Sequence, residues 1–172
     1  MLMNGQGSKF YGKYRGTVTS NQDKNKQGRL QVKVQDILGN EESGWAMPSV
    51  PYAGKHLGLY LIPPEHAHVW IEFEHGDPKK PIWTGCFWAE DEIPVSSDVP
   101  YRDAPELKVL KTDVATITLD NRQNSSSITI ETTKGMKIVI NSKEIEINNG
   151  QNANIKLNSN TVSINGNALE VS

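Results

Sequence analysis

From residue 117 to the end, aliphatic residues recur in pairs two apart: Ile117/Leu119, Ile128/Ile130, Ile138/Ile140, Ile145/Ile147, Ile155/Leu157, Val162/Ile164 and Leu169/Val171. Successive pairs are separated by 11, 10, 7, 10, 7 and 7 residues. On an extended backbone, side chains two apart point to one face, so each pair marks a short strand with one apolar side. A helix would need apolar positions three and four apart, and this segment lacks that spacing. Asn, Ser, Gly and Lys fill the intervals and supply tight turns. Short strands joined by polar turns in a quasi-repeat read as the rungs of a β-helix or β-prism.

Such a ribbon is not self-sufficient. It has one apolar face to cover and strand edges to pair. From Glu106 onward there is no Phe, Trp, Tyr or Pro, so no large side chain can plug a wide interior. Three chains wound about one axis would pair the edges and bring the aliphatic rows together in a narrow core. The spacing therefore predicts an obligate homotrimer whose core is the seven pairs; a single-chain solenoid is the alternative. Seven rungs at ~4.8 Å each make a rod roughly 3–4 nm long.

The rest of the chain has different chemistry. All twelve aromatic residues lie between Phe10 and Tyr101, and all nine prolines between Pro48 and Pro105. Residues 89–105 (AEDEIPVSSDVPYRDAP) are acidic and proline-bearing, and proline opposes helix there. The composition sets out an N-terminal extension (1–9), a first domain (10–88), a linker (89–106) and the repeating segment (107–172). In the first domain, Tyr14, Gly16 and Val18 alternate, as do Leu30, Val32 and Val34. Further extended pieces begin at Trp45, at His68 (HVWIEFE) and at Ile82 (IWTGCFW), with a turn at His75-Gly76-Asp77-Pro78. No capped helical pattern stands out. About five strands in ~90 residues suggest a small barrel of the OB type. The fold class is thus all-β.

Composition also argues against several functions. A net charge of −2 lacks the basic surplus that nucleic-acid binding needs. One cysteine, Cys86, permits no internal disulfide framework. The first residues lack the apolar run of a secretory signal, so synthesis in the cytoplasm without a signal peptide is expected.

The first domain's residues also carry a resemblance. Tyr14, Gly16 and Val18, then Gly28, Arg29, Leu30 and Val32, then Trp45, Ala46 and Pro48 resemble the OB domain of phage baseplate central spike proteins. Gly54, Gly58, Pro63 and Pro64 continue the pattern. It ends on Val69-Trp70-Ile71, Phe73-Glu74, Gly76-Asp77-Pro78, Pro81-Ile82 and Gly85. That family includes the baseplate assembly protein V group, the tail spikes of contractile phages and the Vgr spike of type VI secretion. The resemblance implies a central spike of a contractile injection machine, carried in the assembled particle, docking under a hub through the OB domain and piercing the target envelope mechanically. It implies a short form. Under twenty linker residues leave no room for the lysozyme domain of some members, and about nine residues ahead of the barrel imply a separate trimeric hub protein. Some phage spikes end in a His-x-His tip that binds iron. This chain ends without histidine, and Leu169 and Val171 would leave an apolar platform suited to a separate tip protein of the PAAR type.

Other chemistry is weighed against simpler roles. His66 and His68, with His75 nearby, could share a metal if the backbone is extended, but no ligand at suitable spacing joins them, so no metal or cofactor is expected. Glu74 and Asp77 could be paired acids for glycoside cleavage; Asp77 more readily caps its turn. No Gly-x-Ser-x-Gly elbow exists, and no enzyme is expected. Cys86 reads as a buried small hydrophobe. Trp70, Trp83 and Trp88 could stack on sugars or single strands, although barrel core and docking surface suit them better. Lys9, Lys13, Arg15, Lys24, Lys26 and Arg29 form a basic run offset by acids elsewhere. The alternative function is an OB-fold module binding oligosaccharide or nucleic acid on a trimerising stalk.

Overall fold

The structure is a computed structural model describing residues 8–166 and 168–171, without the side chains of Glu170 and Val171. The expected extension 1–9 is therefore described only at Ser8 and Lys9, and the Val171 side chain, assigned to core and tip, lies outside the described residues. The chain forms two compact units, Met1–Glu92 and Ile93–Ser172. The fold is all-β, and among the described residues no helix is long and apolar enough to cross a membrane.

The first unit is a five-stranded half-barrel of the OB type. Its strands are β1 (Tyr14–Ser20), β2 (Gln31–Lys33), β3 (Met47–Pro48), β6 (His68–Phe73) and β7 (Pro81–Cys86). Between β3 and β6 a small separate hairpin is made by β4 (Ala53–Gly54) and β5 (Leu57–Gly58). The sheet order is β2-β1-β6-β7-β3, antiparallel except for the β3–β7 pair. Alternation places Val18, Val69, Ile71 and Phe73 inside with Leu30, Val32, Val34, Ala46 and Trp83. Trp83 is buried without an unmet donor, because its Nε1 donates to the Gly28 carbonyl at 3.0 Å.

Two features depart from the sequence reading. The alternation at Leu30, Val32 and Val34 predicts a strand through Val34, but β2 stops at Lys33 and a one-turn helix α1 (Gln35–Leu38) follows. Ile37 and Leu38 both donate backbone bonds to the Val34 carbonyl, and both pack on the core. The gain from burying two aliphatics overrides the continuing strand pattern. The β4–β5 hairpin, which carries Gly54 and Gly58, has no alternating pattern to announce it.

The second unit is an eight-stranded antiparallel meander: β8 (Leu107–Lys111), β9 (Ala115–Asp120), β10 (Ser127–Thr132), β11 (Lys137–Asn141), β12 (Glu144–Asn148), β13 (Asn154–Asn158), β14 (Thr161–Ile164) and β15 (Leu169–Val171). Each strand pairs with its sequence neighbours. Edge pairing, which sequence assigned to sister chains, is thus supplied within one chain, and the winding of a single-chain solenoid is absent from the described residues. Asparagine drives this outcome. Asn141 Oδ1 accepts from the backbone N–H of Lys143 and Glu144 at 2.8 and 3.0 Å, and Asn148 Oδ1 from that of Gly150 at 2.7 Å. Each side chain closes a tight turn that sends the next strand straight back. With ~4.8 Å between strands, the stack is roughly 3.4 nm tall.

Candidate functional site

Register turns the aliphatic pairs into two unbroken columns on one face of the meander. One column runs Leu119, Ile128, Ile140, Ile145, Leu157, Val162, Val171. The other runs Ile117, Ile130, Ile138, Ile147, Ile155, Ile164, Leu169. Each column crosses every strand from β9 to β15. Strand β8 adds an eighth level that the sequence search missed: Lys108 stands opposite Leu119 and Leu110 opposite Ile117. Its lysine breaks the two-aliphatic pattern of the other seven levels. Lys108 Nζ donates to the Pro105 carbonyl at 2.7 Å.

These columns are bare in a single chain. Ile117, Leu119, Ile128, Ile130, Ile138, Ile140, Ile145, Ile147, Ile155, Leu157 and Val162 are each 38–44% exposed, Leu169 is 54% exposed and Ile164 is half-buried. On the polar face the Glu146 and Lys156 side chains are 22% and 34% exposed, and those of Glu131 and Lys137 44% and 45%. There Lys156 Nζ lies 3.3 Å from Glu146 and 3.7 Å from Glu144, and Lys137 lies 3.7 Å from Glu131. Exposed apolar patches of such extent mark an interface. Ile130, Ile138, Ile147, Ile155 and Ile164 line an open concavity of about 540 Å³ on this face.

Two details fix the shape of the sheet. The turns after β10 and β12 come together at Gly135 and Gly150. Gly150 has φ +75°, and a Cβ there would stand 2.6 Å from the Gly135 carbonyl carbon, so only glycine fits. At the opposite edge, Asp120 closes the loop after β9. Its carboxylate takes Arg122 Nη2 at 2.7 Å and Nε at 3.0 and 3.2 Å. This bidentate guanidinium contact holds the Asp120 pKa down at about 2.

In the first unit the other candidates separate. His66 has φ +72° and lies outside the strand, so it and His68 do not share the extended geometry that a joint metal site requires. His68 stacks on Phe87 at 5.3 Å, with Nε2 3.8 Å from Glu92. His75 is exposed beside Glu74. Among the described residues no cluster of three or more His, Cys, Asp or Glu is placed to hold a metal ion. Asp77 accepts the Lys79 backbone N–H at 3.0 Å and so caps its turn, as expected. Cys86 requires correction: it is exposed at the end of β7, because the strand's inward alternation falls on Pro81 and Trp83. Partial desolvation raises its thiol pKa, which disfavours the thiolate.

The three tryptophans do not form one platform. Trp83 is core, Trp88 is exposed, and Trp70 lies on the outer face against Phe87 (4.7 Å) under the Arg15 guanidinium (5.6 Å). The basic run is likewise dispersed. Arg29 is locked to Asp23 at 2.7 Å, and Lys13 lies 3.0 Å from Glu72.

Comparison with protein families matches residues 14–88 to the type VI secretion system/phage-baseplate injector OB domain. Residues 108–170 match the phage baseplate V C-terminal trimerisation domain. No curated protein matches. A half-barrel of OB type followed by a trimerising β-sheet defines the class of trimeric baseplate components, whose families are structural. The two matches cover most of the chain, which belongs to the phage baseplate V family of injector spikes. It is therefore a homotrimeric baseplate spike component of a phage tail or related injection particle.

Proposed function

We propose that the protein is the central puncturing spike of a contractile injection particle. The single observation carrying this is the pair of aliphatic columns left bare on one face of a sheet whose inner strands pair on both sides. Three such faces meeting about one axis bury the columns and leave the ion-paired faces outward. The trimer core is then Ile117, Leu119, Ile128, Ile130, Ile138, Ile140, Ile145, Ile147, Ile155, Leu157, Val162, Ile164, Leu169 and Val171. The product is a stiff three-sided prism. Its continuous ladders and dry core resist bending, which suits axial pushing through an envelope. The OB domains dock under a separate trimeric hub, and the Leu169/Val171 end carries a PAAR-type tip protein.

The test uses particles from cells lacking the gene, complemented with wild-type chain or Ile147→Asp. Wild-type particles should carry three copies at the distal end of the baseplate and depolarise target cells. Particles made with Ile147→Asp should lose depolarisation at least tenfold. Full activity of particles lacking the chain, or labelled chain located away from the baseplate, would refute the spike reading.

A further inference from the structure

Among the described residues, a run of exposed large hydrophobics outside the columns lies in the β4–β5 hairpin and its flanks. Tyr52, Leu57, Leu59, Tyr60 and Leu61 are each 51–71% exposed within ten residues of chain. All five belong to the first unit. Two close backbone contacts tie the hairpin together. Leu59 N donates to the Tyr52 carbonyl at 3.0 Å. Gly58, at φ +146°, brings the strands so close that a Cβ would stand 2.7 Å from that same carbonyl oxygen. The apolar side chains are therefore presented on a preorganised scaffold, which lowers the ordering cost of binding.

Charge indicates the occupant. Across residues 45–64 Lys55 is the only formally charged side chain. The groove beneath the hairpin, about 440 Å³, is lined by no carboxylate and includes Lys26. The one acid in the adjoining loop, Asp23, is consumed by Arg29 and by the backbone N–H groups of Asn25 and Gln27. An apolar centre with a purely cationic rim repels a second copy of itself and attracts a surface of opposite sign.

We propose that the 52–61 hairpin is the docking element for a different protein, one presenting an apolar groove rimmed by Asp and Glu. This rests on the spike reading in one respect: the partner is a neighbouring component of the same particle.

The test places a photoreactive residue at the contact. Full-length chain with Leu57→p-benzoylphenylalanine, and a control with Glu41→p-benzoylphenylalanine, is assembled into particles, irradiated and mapped by mass spectrometry. The expected result is one discrete adduct from position 57 to another polypeptide, at a segment of apolar residues flanked by carboxylates, at least tenfold above the control. Lys26→Glu with Lys55→Glu should reduce that adduct at least fivefold without reducing the chain's copy number. Adducts to a second copy, to lipid alone, to a segment without carboxylates, or none at all overturn the docking assignment and leave the spike reading standing. Absence of the chain from particles overturns both.

Discussion

Ile147→Asp probes the assembly directly. Ile147 sits mid-column between Ile138 and Ile155 and is 44% exposed in one chain. Full burial of an isoleucine is worth about 1.5–3 kcal/mol, so the part left for the trimer to bury is worth about 1 kcal/mol per copy. Aspartate loses that and adds a desolvation penalty of several kcal/mol per carboxylate, three times at one level of the axis. The sum is on the order of 10 kcal/mol per trimer, enough to dissociate it at micromolar concentration. Light scattering at about 10 µM should report three times 19.1 kDa for wild type and mainly 19.1 kDa for the variant. Only the protonated acid can enter a dry axis, so its pKa in the trimer is raised and trimer should partly return as pH falls toward 4. Ser163→Asp is the control: it faces Lys156 on the other side of the sheet and should leave the mass unchanged. A stable trimer of Ile147→Asp at pH 7, with an unchanged melting temperature, would refute the inward assignment of both columns.

Two further outcomes are expected. Gly150→Ala forces a Cβ into the Gly135 backbone at positive φ and should cost about 1–3 kcal/mol, read as a lower melting temperature of the second unit by calorimetry. Asp120 contributes pH-dependent stability: its folded pKa lies at about 2, below the ordinary carboxylate value, so the contribution is present above pH ~4 and is lost as pH falls toward 2. Acid unfolding of wild type and Asp120→Asn should therefore converge across that window; parallel curves would show that the Arg122 pair is not the cause.

Much of the fold is legible in residue order. The alternation at Val18, at Leu30/Val32/Val34 and at Val69/Ile71/Phe73 names the barrel core, because period two on an extended backbone leaves one face to bury. The aliphatic dyads name the bare apolar face of the second unit for the same reason. What escapes is what depends on non-local contact. Helix α1 forms because Ile37 and Leu38 reach a core built by distant strands. Cys86 is exposed because its position relative to the end of β7, rather than its apolar neighbours, decides its side. The level at Lys108/Leu110 escapes because a lysine can occupy an apolar column while its amine reaches the Pro105 carbonyl.

The order of residues by itself determines that the tail makes short strands with one aliphatic face, since turn chemistry and side-chain period are local. Only the tertiary structure decides that those strands pair as hairpins within one chain, so that register aligns the dyads into continuous columns and leaves one bare apolar face, with unpaired edges only at the terminal strands β8 and β15. Backbone hydrogen bonds can be met by sequence neighbours; a flat apolar face can leave water only against another surface.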